Sequence, residues 1–281
     1  MTWQAVRTGL AVVACLTLTG CLFGGGGGDG NGPAGRPVEV WAVGDGPNGK
    51  PPSMAVADLI KKAKPRWLLY LGDVYGPYGQ LFDETYGRAL ARRTLASPGN
   101  HEWPSQRAQY LAYWEDVTGR PQARYYAREI GGWQVISLNS QEATGRGSPQ
   151  YRWLQDTLSK AGPGTCRLAF WHEPRFSAGQ HGDSQAMDPI WDELAGHATV
   201  VVSGHDHTMQ RLAPEQGITQ LVAGAGGRSH YRLDTSYPGL RFGDNTHDGA
   251  LQMQLSPGMA RFEFVAVGGE VLDTGLVRCQ E

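Results

Sequence analysis

The sequence has almost no excess of charge of either sign. It contains 25 Lys and Arg against 27 Asp and Glu, a formal net charge of −2 at pH 7. Proteins that bind nucleic acid concentrate Lys and Arg to neutralise phosphates. We therefore expect no nucleic-acid-binding surface, and no strongly acidic face either.

Long apolar runs are also missing. The stretch from Leu10 to Leu18 is mostly apolar, but a membrane-spanning helix needs about 20 such residues. It follows a short N-terminal segment with one Arg and no acid, which is typical of an export signal. The tetrapeptide Leu18-Thr19-Gly20-Cys21 resembles a bacterial lipobox, which implies lipidation of Cys21. The alternative is an ordinary signal peptide with incidental cysteines.

These features divide the chain into three predicted parts. Residues 1–20 form a lipoprotein signal peptide, and residues 21–36 form the lipidated Cys followed by a flexible, Gly-rich linker. Residues 37–281 contain no internal repeat and no clean boundary, so we expect one large domain. The lipobox further implies export to the cell envelope and a lipid anchor at the outer membrane or cell surface. We also expect a monomer.

Cysteine is scarce, with four in the chain. Cys15 and Cys21 lie in the predicted signal and lipobox, which leaves Cys166 and Cys279. In an exported protein these two can form a disulfide. They can also remain two buried thiols, because spacing alone does not decide the pairing.

Short apolar runs recur along the predicted domain, and five of them end in Gly, Asp, Asn or His. They begin at Val38, Arg66, Trp133, Leu168 and Thr199. Continuous apolar runs of this length are typical of central strands that are covered on both faces.

Helical patterns lie between these runs. They cover Ser53–Lys64, with Ser53 as N-cap, Pro149–Lys160 and Asp188–Ala195. Strands that alternate with helices predict an α/β fold. After Gly217 the pattern changes to strand-like runs separated by Gly and Pro, which predicts hairpins in a mixed or antiparallel sheet.

Polar clusters follow strand-like runs at five places. They are Asp45, Asp73, Gly99-Asn100-His101-Glu102, His172 and His205-Asp206-His207. Ligands of α/β proteins collect at the carboxyl ends of strands, and this donor mixture suits zinc, iron or manganese. Each cluster alone is equally well explained as a turn or a buried histidine, so the prediction of a metal site depends on all five together.

In this order the clusters resemble the signature of calcineurin-like metallophosphoesterases, and in particular their purple-acid-phosphatase-like bacterial branch. The resemblance extends over roughly residues 38–267. It implies a four-layer α/β/β/α sandwich, in which two mixed sheets have helices outside. It also implies hydrolysis of phosphate monoesters or diesters by a metal-bound hydroxide at a dinuclear site, with a small phosphate ester as substrate.

The resemblance also implies a role for each polar residue. Asp73 would bridge both metals. Asp45 and His207 would complete the first metal site, and Asn100, His172 and His205 the second. His101 would protonate the leaving group or stabilise the transition state, with Asn100 and Asp73 as the other catalytic residues.

Substrate contacts are less sharply indicated. His181 and Arg175 follow His172 closely enough to meet the substrate, but a solvent loop explains them as well. Arg175 and Arg228 can each clamp phosphate oxygens, or be ordinary surface arginines.

The sequence departs from the family pattern in two places. Pro47 stands where many members have a His two residues after the first Asp. The purple branch has a tyrosine ligand three residues after the second Asp, whereas this chain has Gly76, with Tyr75 and Tyr78 on either side. A loop shortened by one residue would still deliver Tyr75 to the first metal.

These departures keep two other functions open. One is a lipoprotein that binds phosphate esters or nucleotides with impaired catalysis. The other is a surface lipoprotein whose metal only stabilises the fold.

Overall fold

Two mixed β-sheets form the centre of the described part of this computed structural model, residues 1–2, 36–162 and 164–279. The first sheet contains, in spatial order, β13 (Val271–Arg278), β12 (Met259–Ala266), β11 (Gly249–Ser256), β1 (Val38–Val43), β2 (Trp67–Tyr70) and β3 (Thr94–Ala96). The second contains β10 (Leu240–Asp244), β8 (Met209–Leu212), β9 (Thr219–Ala223), β7 (Val200–Ser203), β6 (Cys166–Trp171), β5 (Trp133–Ser137) and β4 (Tyr126–Ile130). Cys15 and Cys21, on which the export prediction depends, lie outside the described residues.

The strands that begin the functional loops are parallel. In the first sheet β1 pairs in parallel with β2, and β2 with β3. In the second sheet the parallel strands are β5, β6, β7 and β9. The remaining strands pair antiparallel, and β11, β12 and β13 form the hairpins predicted for the C-terminal part.

Helices cover the outer face of each sheet. They are α1 (Pro51–Ala63), α2 (Tyr78–Tyr86), α3 (Arg88–Ala91), α4 (Arg107–Thr118), α5 (Pro149–Lys160) and α6 (Asp188–Leu194). Helices α1, α2 and α4 pack on the first sheet, whereas α5 and α6 pack on the second. A third apolar core fills the space between the sheets. This arrangement confirms the predicted four-layer α/β/β/α fold.

The start of α1 differs from the prediction. The helix begins at Pro51 with Lys50 as N-cap, so Ser53 is not the cap. Proline is favoured in the first turn of a helix because its missing N–H has no partner there anyway. The Ser53 hydroxyl instead donates to the carbonyl of Lys50, at 2.9 Å. Helix α5 has the predicted bounds.

Helices α2 and α4 contribute an aromatic cluster that the sequence indicated only in part. Tyr110, Tyr113 and Trp114 are buried, as their helical spacing predicted. Tyr78 joins them from α2, and its hydroxyl accepts a hydrogen bond from the Trp114 indole at 2.9 Å. Tyr78 is therefore part of the core.

A disulfide joins the two sheets. Cys166 begins β6 and Cys279 follows β13, and their Cα atoms are 5.1 Å apart. The bond resolves the choice between a disulfide and two free thiols. Among the described residues, no helix is long and apolar enough to cross a membrane.

The disulfide closes a loop with a sequence separation of 113 residues, so it should restrict the unfolded chain strongly. We expect the double variant Cys166→Ala/Cys279→Ala to lose about 2–5 kcal/mol of unfolding free energy in urea denaturation. Reductant should destabilise the unaltered protein to a similar extent and leave the double variant unchanged. Equal denaturation midpoints for the two proteins would contradict this role.

Candidate metal centre

The parallel strands deliver polar side chains to one edge of the sandwich. Asp45 follows β1, Asp73 follows β2, and Asn100 follows β3. His172 follows β6, and the turn that contains His205 follows β7. Backbone hydrogen bonds hold these ends together, among them one from Asp45 N to the Gly72 carbonyl at 3.0 Å. Five segments that are distant in sequence therefore meet at one point.

Asp45, Asp73 and His172 form the buried centre of this point. One potential ligand atom from each lies within 4.8 Å of the others. The His172 Nε2 atom is 3.4 Å from Asp73 Oδ1 and 3.0 Å from Asn100 Oδ1. It is also 3.2 Å from His205 Nδ1. The four residues Asp73, Asn100, His172 and His205 thus point their donor atoms at one small region.

A second group of donors lies on the other side of Asp45. The Tyr75 hydroxyl is 3.2 Å from Asp45 Oδ1 and 2.9 Å from His207 Nε2. The His207 Nε2 atom is in turn 3.5 Å from Asp45 Oδ1. The structure therefore brings Tyr75, and not the buried Tyr78, into the centre.

The position of Tyr75 is connected with Pro47. The backbone N–H of Tyr75 donates to the Pro47 carbonyl at 2.8 Å. This bond fixes the loop after Asp73 against the loop after Asp45. The two departures from the family pattern are therefore in contact with each other.

Two of the histidines are oriented by a partner on their far side. The Nδ1 atom of His172 lies 2.7 Å from the Leu71 carbonyl, and Nδ1 of His207 lies 3.1 Å from the Ser229 hydroxyl. A carbonyl can only accept, so His172 carries a proton on Nδ1, and its Nε2 atom faces the centre. Metal-binding histidines are usually held in this way.

The backbone is forced into rare conformations at three of these residues. Asp45, Asp73 and His205 have φ values of 61°, 67° and 69°. Side chains other than glycine disfavour this left-handed region, and such strain tends to occur at functional sites. Gly99 is required for a different reason, because a Cβ there would lie 2.1 Å from Asp73 Oδ1.

Glu102 connects the loop after β2 to the loop after β3 by hydrogen bonds. Its buried carboxylate accepts the backbone N–H groups of Gly99, Asp73 and Val74 at 2.7, 2.9 and 2.6 Å. Burial, with the nearby charge of Asp73, raises the pKa of Glu102 to about 7. The sequence motif contained Glu102 without indicating this role, because backbone hydrogen bonds leave no trace in residue spacing.

The buried carboxylates make this a site that attracts positive charge. Burial raises the pKa of Asp73. Burial disfavours the charged form of His172, but the Asp73 and Asp45 carboxylates outweigh it and raise the pKa of His172 to about 9. Burial and the neighbouring His172 lower the pKa of His205 to about 3. Buried carboxylates beside imidazoles, one of which, His172, holds a proton in the absence of a cation, fit divalent or trivalent cations when held in strained positions.

His101 and His181 lie at the rim of the centre, the edge at which its side chains are exposed to solvent. The backbone N–H of His101 donates to Asp73 Oδ1 at 3.0 Å, and the half-exposed imidazole ends 3.7 Å from Asp73 Oδ2. The His181 ring lies 4.3 Å from that of His205, between ring centres. His181 and His205 both line a cleft of about 230 Å³.

Two further side chains contact the histidines of the centre and its rim, and the sequence indicated a role for neither. Buried Asp206 accepts the Ser177 hydroxyl and the backbone N–H of His181, the latter at 2.9 Å. Tyr231 stacks on the His207 ring with 3.8 Å between ring centres. Asp206 was visible between two histidines, but nothing in the sequence indicated the stacking of Tyr231.

Arg175 does not present a free charge to the centre. Its guanidinium contacts Asp188 and lies 3.7 Å from Asp183. Both carboxylates compensate the charge that a phosphate would use. The predicted substrate contact by Arg175 gains no support from this geometry.

Comparison with known proteins agrees with this arrangement. Residues 39–209 match the family model of calcineurin-like phosphoesterases. The chain belongs to this family. Purple acid phosphatase 18 of Arabidopsis thaliana is 28% identical over 201 residues, which cover 64% of this chain and 46% of that protein. This chain thus spans about half the length of that plant relative.

Solved structures share the fold of this family member. A purple acid phosphatase from yellow lupin (Lupinus luteus) seeds, PPD1, has a TM-score of 0.72 at 15% identity, covering 86% of this chain and 54% of its own. GAP50, the anchor in the inner membrane complex of Plasmodium, has a TM-score of 0.72 at 14% identity, and the match covers 88% of this chain and 90% of that one. A dimetal phosphatase from Danio rerio has a TM-score of 0.62 at 11% identity, and the match covers 88% of this chain and 100% of that one. These identities support a common fold and no closer statement.

The pKa of His172 should make the stability of chelator-treated protein depend on pH. It is about 9 in the folded chain, against an ordinary value of 6.5 for histidine. The folded state therefore holds a proton that the unfolded state releases, so stability present below pH 6.5 is lost as pH rises through 9. We expect the melting temperature in EDTA to fall from pH 7 to pH 9.

Differential scanning fluorimetry would measure this fall. A His172→Gln variant should show a smaller pH dependence, whereas His197→Gln, at an exposed position, should behave like the unaltered chain. Saturating Zn²⁺ should reduce the fall, because a bound cation replaces the proton. An unaltered chain with a constant melting temperature over this range would disprove the assignment.

Proposed function

We propose that this protein is a metal-dependent hydrolase of phosphate esters with a dinuclear site. The observation that carries the proposal is the buried group of Asp45, Asp73 and His172, whose ligand atoms lie within 4.8 Å of one another. Donors flank this group on both sides, and the family match supports the same chemistry. The homologous purple acid phosphatase supports the purple-type branch.

The donors divide into two sets around Asp73. Asp45, Tyr75 and His207 would hold the first cation, and Asn100, His172 and His205 the second. Asp73 would bridge both, because a carboxylate offers two oxygens to two metals. Iron, zinc and manganese suit these donors. When bound, the cations supply Lewis-acid activation of water and of the phosphate oxygens.

The chain's own residues then position and protonate the substrate. The Asn100 amide can donate to a phosphate oxygen at the mouth of the centre. His101 is half exposed and lies next to Asp73, so its imidazole can reach the leaving-group oxygen and transfer a proton to it. His181, beside His205, would contact the ester from the opposite rim.

We propose a small phosphate ester as the substrate, as the family match suggests. A cleft lined in part by His181 and His205 lies beside the centre. We further propose export with a lipid anchor at Cys21, at the outer membrane or cell surface, and a monomeric state. Export is compatible with the disulfide, because such bonds persist in oxidising compartments.

Tyr75 is the most distinctive proposed ligand, and Tyr78 is its natural control. We expect two metals per chain by elemental analysis of the unaltered protein, and loss of at least one in Asp45→Ala and in His205→Ala. With iron bound, the unaltered protein and Tyr78→Phe should absorb visible light through a phenolate–iron contact. Tyr75→Phe should lose that band. One metal per chain, or an unchanged spectrum in Tyr75→Phe, would exclude the assignment of the first site.

His101 should affect turnover without affecting the metals. We expect His101→Ala to lower kcat for an alkyl phosphate monoester, whose leaving oxygen must be protonated, by about 10²- to 10⁴-fold, the range of general acid catalysis. Its metal content should equal that of the unaltered chain. Equal loss of metal and activity would remove His101 from proton transfer. If the unaltered chain binds phosphate and does not hydrolyse the ester, the protein is a binding lipoprotein with this fold.

A further inference from the structure

Arg228 is a cationic side chain at the rim of the centre to which the proposed mechanism gives no role. Its guanidinium carbon lies 4.7 Å from the centre of the Tyr75 ring. The hydroxyl of that ring contacts Asp45 and His207. The Tyr75 ring therefore lies between the Arg228 guanidinium and the residues that would hold the first metal.

The loop that carries Arg228 is held firmly against the centre. The Gly227 carbonyl accepts the Asn48 amide at 3.0 Å, and Gly227 has a φ of 103°. On the other side of Arg228, the Ser229 hydroxyl meets His207 and the Tyr231 ring stacks on it. The backbone on both sides of Arg228 is thus anchored, and its side chain remains exposed.

The charge of Arg228 is not compensated. Within residues 36–162 and 164–279, no carboxylate forms an ion pair with it. Arg175, the other arginine that the sequence indicated, is paired with Asp188 and Asp183. Arg228 therefore offers what Arg175 lacks, a guanidinium whose donors are free for an incoming anion.

We propose that Arg228 binds the non-bridging oxygens of the substrate phosphate and makes the site selective for phosphate monoesters over diesters. A guanidinium fork matches two phosphate oxygens. A monoester dianion has three non-bridging oxygens that share two negative charges, whereas a diester has two that share one, so a guanidinium charge stabilises the bound monoester more strongly. This inference rests on the proposed hydrolase function and adds the substrate class to it.

The test compares two esters with the same leaving group. We would measure kcat/KM of the metal-loaded full chain on p-nitrophenyl phosphate and on bis(p-nitrophenyl) phosphate, for Arg228→Gln, Arg228→Lys and the control Arg241→Gln. Arg241 is exposed and donates to the backbone carbonyls of Pro238 and Leu240. Calorimetry would give the Kd of inorganic phosphate for the same proteins.

We expect Arg228→Gln to lose about 10- to 100-fold on the monoester and to weaken phosphate binding by a similar factor, as for a charged hydrogen-bonded pair. The loss on the diester should stay below about threefold. Arg228→Lys should be intermediate, because it keeps the charge without the fork. Metal content should not change in any of them.

Two results would overturn the proposal for Arg228 alone. One is an Arg228→Gln protein that behaves like Arg241→Gln. The other is an equal loss on both esters, which would indicate that Arg228 acts only by supporting Tyr75. If the unaltered chain neither binds phosphate nor hydrolyses either ester, the proposed hydrolase function fails, and with it the role of Arg228.

Discussion

The burial of two carboxylates beside each other is the constraint on which the rest of this structure depends. Asp45 and Asp73 are almost inaccessible to water, and burying an unpaired charge is costly. Each must therefore be held by other groups in the fold. The backbone N–H groups of His205 and His101 donate to them, and the imidazoles of His172 and His207 lie beside them. Most features of the centre follow from this requirement.

Hydrogen bonds and the local backbone conformation keep the carboxylates of Asp45 and Asp73 in place. Glu102 accepts three backbone N–H groups from two loops, so it joins the loop after β2 to the loop after β3. Left-handed backbone at Asp45 and Asp73 turns their side chains towards the shared point. Such conformations persist only where neighbouring structure over-determines them. Parallel strands on both sides of the sandwich supply that support, because their ends are fixed by the sheets.

The rim is built differently from the buried centre. Asp206 connects the turn of His205 and His207 to the loop of His181. Tyr231 and Ser229 hold His207 from the loop after β9. The loops that would meet a substrate therefore contact the same histidines that would bind metal.

The residue pattern was enough to predict the fold class, most strands, the bounds of α5 and the order of the candidate ligand residues along the chain. Apolar runs identify strands because both sheet faces are buried, and ligand residues at strand ends converge because parallel strands end together. Which tyrosine reaches the centre, and whether Arg175 or Arg228 has a free charge, follows from the three-dimensional packing. It also decided the pairing of Cys166 with Cys279 and the start of α1. These outcomes depend on distances between segments far apart in sequence, such as that from Tyr75 to His207, and residue spacing does not contain such distances.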